Sequence, residues 1–462
     1  MPSRGMASRN PPNAGSALLG KLVYNLWDLK DRSGRLAEYR SLSKSQWMPA
    51  AQLEALQLAR LNSMTDYAFR HSDYYRNTWP AAPRFERLSE LATLPLTRKA
   101  DVRVHRDALV SGEFPRDELV TAKTGGSTGA ALELFFDTVC QEKRNAASMR
   151  SDEWSGWQPG MLVAALWGSP PVPQTLKEKF RNALHDRVFY LDTMCLDDRS
   201  MRDFAAQIER RRPGGLFGHA HSLFVFAGFV EKSGIRVEPF KSIVATSMML
   251  LETERIVIER VFGCRVSNRY GCEEVGLIAS ECGQPGGMHI NSEHVIVEIV
   301  RNDGSPAAPG EQGQIVVTDL LNHGMPLVRY AIEDVASWSA VPCACGRTAP
   351  RLERLVGRVA DFLVRRDGAM VAGVSLVEKT LTAIPGVDQL QIVQSRIDGF
   401  ELNCVPSGAY GESSAHALTA ALVDAFGSGI DVQINLMDRI PQEKNSKYRF
   451  AICRVNTGGG SR

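Results

Sequence analysis

Apolar residues recur at helical spacing in the N-terminal part of the chain. One face of a helix that begins near Ser16 carries four leucines: Leu18, Leu22, Leu26 and Leu29. We expect this face to pack against the rest of the protein, because the Lys and Asp residues around it are mixed in sign; binding at a membrane surface is the alternative. A second helical pattern covers 52–69, and the polar, Pro-, Gly- and Ser-rich residues 1–15 are predicted to be disordered.

Beyond Pro95, short apolar runs alternate with turn signals and helical patterns. The runs that predict strands lie at 161–167, from 217 onwards, at 243–246 and at 264–268. Two further runs, 295–300 and 314–318, flank a turn at Asn302-Asp303-Gly304 and predict a strand pair. This alternation is typical of a layered α/β domain, which we place at 16–357.

The composition changes near Gly357. The pattern that follows predicts strands at 362–364, 389–393, 401–405 and 432–437, with helices near 376–383 and at 415–426. This order predicts a small, separate α+β domain at 358–462.

The overall composition narrows the class of protein. The 462 residues are 44% hydrophobic and carry 54 basic against 52 acidic side chains, so a large core is affordable and nucleic acid is an unlikely target. No apolar run approaches the roughly 18 residues of a membrane span, and the first residues lack a signal-peptide pattern, which predicts a cytoplasmic protein. Nine cysteines in such a chain indicate free thiols or a metal site.

A loop rich in glycine and hydroxyl groups lies between the strand-like segments 119–121 and 132–136. Its members are Thr124, Gly125, Gly126, Ser127, Thr128 and Gly129. Backbone N–H groups of such a loop can approach phosphate oxygens, and the hydroxyls add donors. The loop is not a Walker motif, because no Gly-Lys-Ser/Thr closes it, and taken alone the pattern is also common in ordinary hairpin loops.

Later segments of the chain strengthen the interpretation of that loop as a phosphate-binding loop. Tyr270-Gly271-Cys272-Glu273-Glu274 offers an aromatic face, a glycine for close approach and two carboxylates. Asp334, in the segment 329–334, could accept two ribose hydroxyls, and Arg358 and Lys447 lie at the domain boundary and near the C-terminus. Taken singly, these residues would more often be a buried tyrosine, surface ion pairs and a solvated lysine.

In this order and spacing, the motifs resemble the adenylate-forming (acyl-CoA synthetase-like) superfamily, and more narrowly its branch of phenylacetate-CoA ligases and CapK-type proteins. Segments 44–47, 71–75 and 313–318 contribute to the resemblance, which extends from about Leu18 to Val455. The resemblance implies an α/β fold with a large domain that holds ATP and an acid, and a small mobile domain that rotates over it. It implies AMP-forming ligase activity through an acyl-adenylate, with Mg²⁺ as cofactor.

The resemblance also implies roles for individual residues. The 124–129 loop would wrap the β- and γ-phosphates, Tyr270 would stack on adenine beside Gly271, and Glu274 would hold Mg²⁺. Asp334 would bind the ribose hydroxyls, Arg358 would reach ribose or phosphate, and Asp361 would be the hinge of the 358–361 segment. Lys447 would bridge the acyl carboxylate and the α-phosphate, where its ammonium group stabilises the charge that builds during in-line attack.

Some positions depart from the family pattern. The phosphate loop has Gly125 where serine is usual, the lysine motif has Ser446 where glycine is usual, and Met249 stands where relatives commonly have glutamate. Trp167 and His219 fall where the resembled enzymes line their acid and nucleotide sites, although a single histidine is more often a structural residue.

Four cysteine and histidine side chains form a second constellation: Cys282, His289, Cys343 and Cys345. Two closely spaced thiols and a distant Cys/His pair have the ligand count of a closed, structural Zn²⁺ site, and some members of the resembled branch carry such a zinc. With four protein ligands the ion would have no open position for catalysis. The other cysteines are expected to be small buried apolar residues.

The leading function hypothesis is ATP-dependent activation of a small carboxylic acid, aromatic acids being favoured, followed by acyl transfer. Coenzyme A is the first choice of acceptor, and an amine or hydroxyl is the alternative. Arg365 and Arg366 could meet CoA phosphates or be solvated surface residues. Two other classes stay open: a catalytically silent nucleotide-binding partner of a polysaccharide assembly system, and a zinc-braced scaffold without nucleotide. The oligomeric state is also open.

Overall fold

The computed structural model describes residues 14–123, 132–168, 170–171, 174–301, 303–356, 362–373, 376–377, 380, 383–438, 440 and 451–455. The loop 124–129, Arg358, Asp361 and Lys447 therefore lie outside the described residues. Residues 1–13 of the segment predicted to be disordered also lie outside the described residues, and the first helix begins at Ala14, two residues before the predicted start.

Twelve α-helices occur in the described part of the chain. Their bounds are α1 Ala14–Lys30, α2 Arg35–Ser45, α3 Ala50–His71, α4 Asp73–Thr78, α5 Lys99–Val104, α6 Arg106–Leu109, α7 Thr138–Trp154, α8 Leu176–Arg181, α9 Asp198–Arg211, α10 Ala220–Lys232, α11 Glu252–Phe262 and α12 Glu412–Phe426. Two 3₁₀ turns lie at Leu88–Thr93 and Arg116–Glu118, and a π-helical turn at Asn182–Asp186 continues α8. None of these helices is long and apolar enough to cross a membrane.

Nineteen strands occur in the same described ranges. They are β1 Val120–Lys123, β2 Glu133–Phe136, β3 Val163–Trp167, β4 Val188–Asp192, β5 Gly215–His219, β6 Ser242–Thr246, β7 Val266–Cys272, β8 Gly276–Glu281, β9 Met288–Ile290, β10 Val295–Val300, β11 Gln312–Asp319, β12 Tyr330–Trp338, β13 Arg351–Val356, β14 Phe362–Val364, β15 Met370–Ala372, β16 Val387–Arg396, β17 Gly399–Pro406, β18 Asp431–Leu436 and β19 Ala451–Cys453.

One large sheet runs through the N-terminal domain. Among the described strands, eleven belong to it, in the order β10-β11-β12-β13-β9-β8-β7-β6-β5-β3-β4. Strands β4 to β7 pair in parallel, and every pair from β7 to β10 is antiparallel. The predicted strand pair at 295–300 and 314–318 is confirmed as β10 and β11, with Val295 opposite Asp319.

The parallel half contains a topological switch point. Strand β3 has β4 on one side and β5 on the other, so the chain leaves these neighbouring strands in opposite directions. In open parallel sheets, ligands bind in the crevice outside the carboxyl ends of the strands at such a point. Here the carboxyl ends that flank the crevice are Trp167 on β3 and His219 on β5.

The C-terminal region forms a separate small sheet, as predicted. Strands β18, β17, β16 and β19 lie side by side in the described residues, β16 pairs antiparallel with β17, and α12 follows β17. The predicted strand at 362–364 is β14, which pairs with β15 in a hairpin that the sequence pattern did not indicate. The fold is thus a large layered α/β domain followed by a small α+β domain.

The predicted packing of the first helix is wrong in one respect. Three of the four predicted leucines do not face the protein: Leu22, Leu26 and Leu29 are 56%, 57% and 75% exposed. Tyr24 and Asp28, on the opposite face, are buried instead. The helix forms as the spacing predicts, but it packs against the rest of the protein through the face that carries Tyr24 and Asp28.

Candidate active site and metal centre

Strands β1 and β2 flank the segment 124–129, the predicted phosphate loop, which lies outside the described residues. Val120 pairs with Phe136 and Lys123 with Glu133, so residues 124–132 connect two antiparallel strands. Strand β2 then leads into α7, whose first turn is capped because the Cys140 amide donates to Asp137 Oδ1 at 2.8 Å. The flanking strands are those that the sequence predicted.

Tyr270 and Asp334 meet although 64 residues separate them. The Tyr270 hydroxyl donates to Asp334 Oδ2 at 2.9 Å, and Tyr270 is buried while Asp334 is half-buried. Tyr270 lies at the end of β7 and Asp334 lies in β12, strands that are not neighbours in the sheet, so the antiparallel half curls to bring them together. The predicted adenine and ribose contacts thus share one location.

Glu274 lies in the tight connection between β7 and β8. Its Oε1 accepts a hydrogen bond from the Tyr330 hydroxyl at 3.0 Å, and the residue is 5% exposed. The turn before it needs a glycine, because a Cβ at Gly271 would stand 2.5 Å from the Gly276 carbonyl oxygen. Glycine is therefore required at position 271 by the close backbone contact, in addition to the approach of a ligand that the motif predicts.

Arg144 on α7 ties this connection to the rest of the site. Its Nη2 donates to the Glu274 carbonyl oxygen at 2.8 Å and to Asp319 Oδ2 at 2.7 Å, and its guanidinium lies 4.4 Å from the centre of the Phe136 ring. A buried, paired arginine of this kind fixes geometry, since breaking one partner leaves a charge without compensation. The carboxylate of Glu274 is therefore held on a rigid turn.

Trp167 and His219 pack against each other at the switch point. Their ring centres are 4.3 Å apart, and Trp167 also stacks on Phe217 at 5.6 Å. His219 is 2% exposed, and its Nδ1 has no hydrogen-bond partner among the described residues. Burial lowers the pKa of His219 to about 4, so the imidazole is neutral near pH 7. His221, two residues on, contacts the carboxylate of Glu254.

The four predicted metal ligands come together. The donor atoms of Cys282, His289, Cys343 and Cys345 all lie within 4.8 Å of one another. Cys282 Sγ is 3.7 Å from Cys343 Sγ, and Cys345 Sγ is 3.3 Å from His289 Nε2. Two zinc-bound sulfurs at tetrahedral angles lie about 3.8 Å apart, so the spacing and the donor set both fit Zn²⁺.

Neighbouring backbone groups orient these ligands. His289 Nδ1 lies 3.1 Å from the Ala349 carbonyl oxygen, an arrangement that places the proton on Nδ1 and leaves Nε2 to face the thiols. Backbone N–H groups of Gln284 and Arg347 donate to Cys282 Sγ and Cys345 Sγ at 3.4 and 3.5 Å. Burial lowers the pKa of His289 to about 4, which keeps the ring neutral, as a ligand must be.

The two thiol environments differ. Burial raises the pKa of the Cys282 thiol to about 12. At Cys345 burial also raises the pKa, but hydrogen bonds from Arg347 and from the neighbouring thiols outweigh it, and the net direction is downward. A bound cation would have to displace the thiol protons, so binding at this centre is expected to tighten as the pH rises.

Known proteins are similar to this chain over most of its length. Protein CapK of Staphylococcus aureus is 23% identical over 411 residues, covering 87% of this chain and 89% of that protein. Phenylacetate-coenzyme A ligase of Thermus thermophilus is 28% identical over 372 residues, covering 76% and 80%, and the Escherichia coli enzyme of that name is 26% identical over 341 residues, covering 68% and 73%. The CapK C-terminal domain family matches residues 363–454.

These similarities confirm the resemblance of the chain to the CapK and phenylacetate-CoA ligase branch of the adenylate-forming superfamily. Solved structures of 2-hydroxyisobutyryl-CoA ligase share its fold. In the postadenylation state that enzyme aligns with a TM-score of 0.58 at 18% identity, covering 89% of this chain and 91% of the ligase. In the thioesterification state the TM-score is 0.60 at 17% identity, with 89% and 92% covered.

The described site residues form two groups. Tyr270, Gly271, Glu274 and Asp334 gather at the curled end of β7, while Trp167 and His219 gather at the switch point, on the third and second strands from β7. Phe217 contacts Trp167 of one group, and its ring centre lies 5.1 Å from the guanidinium of Arg269, which precedes Tyr270 of the other. Sequence reasoning missed Arg144, Phe217 and Tyr330; only Tyr330 had a signal, its place beside Asp334 in the 329–334 motif.

The cysteines are free thiols, and the two arginines that follow β14 contact backbone carbonyl groups. All nine cysteines lie in the described residues, and none forms a disulfide. Cys140 and Cys404 are buried as predicted, while Cys195, Cys264, Cys272 and Cys453 are only partly buried. Arg365 donates to the Met194 carbonyl oxygen at 3.1 Å and Arg366 to the Ser428 carbonyl oxygen at 3.3 Å, so both arginines have protein partners.

Proposed function

We propose that this chain is an ATP-dependent, AMP-forming carboxylate ligase that works in the cytoplasm and passes its acyl group to coenzyme A. The observation that carries the proposal is the 2.9 Å hydrogen bond between Tyr270 and Asp334, which brings the residues assigned to adenine and ribose side by side. Similarity to the phenylacetate-coenzyme A ligases over 68% to 76% of the chain supports the same reaction.

In the first half-reaction, the carboxylate oxygen of the acid attacks the α-phosphorus of ATP, and pyrophosphate leaves. The N–H and hydroxyl groups of the 124–129 loop hold the β- and γ-phosphates. Tyr270 stacks on adenine, and Asp334 accepts the ribose hydroxyls in exchange for its bond with Tyr270. Arg358 reaches the ribose or a phosphate, and Lys447 stabilises the charge that develops between acid and α-phosphate.

Glu274 is the proposed Mg²⁺ ligand. A carboxylate is a donor that this hard cation prefers, and the turn that carries Glu274 is fixed by Gly271 and Arg144. When bound, Mg²⁺ would neutralise charge on the phosphates. The Tyr330 hydroxyl, 3.0 Å from Glu274 Oε1, orients the carboxylate.

The acid would bind at the switch point between β3 and β5. Trp167 offers a half-buried aromatic surface that is continuous with Phe217, which favours an aromatic acid because ring stacking adds to apolar burial. The neutral His219 beneath Trp167 supplies a polar atom for orienting the substrate.

For the second half-reaction, we propose that the small domain, 358–462, rotates about Asp361 so that Lys447 leaves and another face closes the site. Arg365 holds this domain against the large one through the Met194 carbonyl oxygen in the present arrangement. Rotation would break that bond.

The cysteine and histidine centre is proposed to hold one structural Zn²⁺. Its donor set and its 3.7 Å sulfur separation fit a tetrahedral ion, and the four protein ligands leave no open position. The ion would brace the β8–β9 connection against the loop that precedes β13.

A second candidate function is direct transfer of the acyl group to an amine or hydroxyl. The small domain, which faces the acceptor, matches the CapK C-terminal family over 363–454, and CapK is similar over 87% of the chain. Arg365 and Arg366 are engaged by carbonyl oxygens, so they offer little to CoA phosphates in this arrangement.

The first test is ATP–pyrophosphate exchange across a panel of aromatic, aliphatic and amino acids. We expect exchange with at least one acid, and Lys447→Ala should reduce it by about 10²-fold while ATP still binds, because the charge matters chiefly in the transition state. Lys444→Ala, three residues away in the same segment, is the matched control and should retain exchange. Exchange by Lys447→Ala at the control level would refute the assignment.

The second test follows acyl transfer in a single turnover from preformed acyl-AMP. A thioester with CoA supports the leading proposal, whereas an amide or ester with an amine or sugar acceptor supports the second candidate. ATP binding without exchange for any acid would instead identify a catalytically silent nucleotide-binding partner.

A further inference from the structure

Helix α1 is amphipathic, but its leucine face points to solvent and its opposite face packs against the protein. Three residues that face inward are Gly20, Tyr24 and Asp28, at spacings of four. The opposite face carries Leu22, Leu26 and Leu29, which are more than half exposed. Surface helices of globular proteins normally bury their apolar stripe and present charges to water. A helix that exposes leucines and buries an aspartate presents its apolar face to something outside the chain.

Close contacts on the inner face fix this orientation. A Cβ at Gly20 would stand 2.6 Å from the Gly160 carbonyl oxygen, so the backbones touch there. Tyr24 stacks on His185 with ring centres 4.4 Å apart, and Asp28 accepts from Arg35 Nε at 3.3 Å. A half-turn rotation that buried the leucines would break all three contacts. The leucine face therefore stays outside.

Helix α8, beside α1, also exposes apolar side chains. Its Leu176 and Phe180, one helical turn apart, are 85% and 61% exposed. The π-helical turn that continues α8 carries His185, the residue on which α1 packs, so the two helices are neighbours. We call the set Leu22, Leu26, Leu29, Leu176 and Phe180 the apolar surface.

Basic side chains surround the apolar surface. Residues 21–32 and 176–186, all of them described, contain six exposed cations and three exposed acids. The cations are Lys21, Lys30, Arg32, Lys177, Lys179 and Arg181, and the acids are Asp31, Glu178 and Asp186, of which Asp186 pairs with Arg181 at 3.4 Å. The whole chain has a formal charge of only +2, so this excess is local. Lysine and arginine with leucine and phenylalanine on one surface are the composition that binds anionic lipid bilayers.

We propose that the apolar surface and its cations attach this chain peripherally to an anionic membrane. Leu22, Leu26 and Leu29 enter the headgroup region, and the lysines lie over lipid phosphates with their alkyl stems against the apolar layer. A second copy of this chain would bring the same six cations against themselves, whereas an anionic lipid surface complements them. The active site would then operate beside a membrane. This proposal does not depend on the reaction proposed above.

The test is co-sedimentation of the full chain with vesicles. We expect binding to vesicles that contain phosphatidylglycerol, weak binding to pure phosphatidylcholine, and loss of binding at high salt. Leu26→Glu should weaken binding by about tenfold or more, because it removes an exposed leucine that the headgroup region would cover and adds a negative charge that anionic lipids repel. Ile256→Glu is the matched control: Ile256 is 54% exposed on α11, and the variant adds the same charge elsewhere. The double variant Lys177→Glu and Lys179→Glu should also lose binding and flatten its salt dependence.

Each contrary outcome overturns the proposal. Equal sedimentation with and without phosphatidylglycerol vesicles would do so, as would equal effects of Leu26→Glu and Ile256→Glu. Self-association that Leu26→Glu abolishes, without vesicle binding by either form, would assign the surface to a second copy. Unfolding midpoints of all variants, measured beside the sedimentation, separate these outcomes from misfolding.

Discussion

Cys282, His289, Cys343 and Cys345 direct their donor atoms at one another, whereas Tyr270 and Asp334 are bonded to each other. The first group is oriented from outside by the amides of Gln284 and Arg347, and the thiols and the imidazole gain little from facing each other. In the second group, the Tyr270 hydroxyl and Asp334 Oδ2 are already paired with each other, and a ligand must replace that bond. The Cys/His cluster is therefore expected to gain stability when it binds a cation. The Tyr270–Asp334 pair is expected to select ligands whose hydroxyl groups can replace the bond between the two residues.

The largest effect that could break this contrast is expected from Cys343→Ser. We expect elemental analysis to find about one Zn per wild-type chain and none in the variant, because one ligand is lost. The unfolding midpoint should fall by roughly 10 °C, since loss of a structural metal is among the most destabilising single changes. Cys264→Ser, at a half-buried cysteine outside the cluster, should keep both the metal and the midpoint. Metal-free wild-type protein whose stability is unchanged by a chelator would contradict the prediction.

Asp334→Ala tests the other side of the contrast. We expect ATP affinity to fall by about tenfold or more, because a charged acceptor of two ribose hydroxyls is lost, while the unfolding midpoint changes little. Titration calorimetry measures the affinity, and Asp303→Ala, at an exposed acid in the β10–β11 connection, is the control. Equal affinities of the two variants would remove Asp334 from the site.

His219→Gln asks whether the switch-point histidine is neutral. The pKa of about 4 in the folded chain lies below the ordinary value of 6.5, so the unfolded chain binds more protons between those values, and the wild type loses stability as the pH falls through that window. Glutamine does not titrate. As the pH falls through that window, the free energy of unfolding of the variant should therefore decrease by up to about 1.4 kcal/mol per pH unit less than that of the wild type. Urea unfolding at several pH values measures the slope, with His416→Gln, at an exposed histidine, as control. Parallel slopes for all three proteins would disprove a depressed pKa at His219.

Tyr270→Phe should have the smallest effect. The ring that would stack on adenine stays, and only the hydroxyl bonded to Asp334 is lost, so we expect ATP affinity to change by less than about threefold. Tyr270→Ala, which removes the ring, should lose about tenfold. If phenylalanine and alanine weaken ATP equally, the hydroxyl and not the ring makes the contact.

Local spacing explains what the sequence could predict. The Cys/His cluster was found because its ligands lie in short turns with recognisable spacing, and the C-terminal strands β16, β17 and β18 were found from alternating apolar residues. The sequence pattern did not indicate the hairpin partner β15 or the final strand β19, each of which has only three residues.

Long-range pairing explains what the sequence could not predict. Tyr330 and Glu274 are 56 residues apart, and Arg144 and Asp319 are 175 apart, so no local pattern joins them. The leucine spacing of α1 predicted a helix correctly, but its orientation depends on the close approach at Gly160 and the ring of His185. Those receiving residues lie far from the helix in sequence, and the apolar face alone pointed the wrong way.

The positions of the metal ligands along the chain have a further consequence. Cys282 follows β8 and Cys343 follows β12, so an ion bound between them closes a loop of 61 residues that contains four strands. Such a closure restricts the unfolded chain as a disulfide does, which amounts to about 4 kcal/mol in the loop-entropy picture. Unlike a disulfide, it persists under reducing conditions and varies with the concentration of free metal. The lifetime of the folded chain would then be set in part by zinc supply, through mass action on a reversible cross-link.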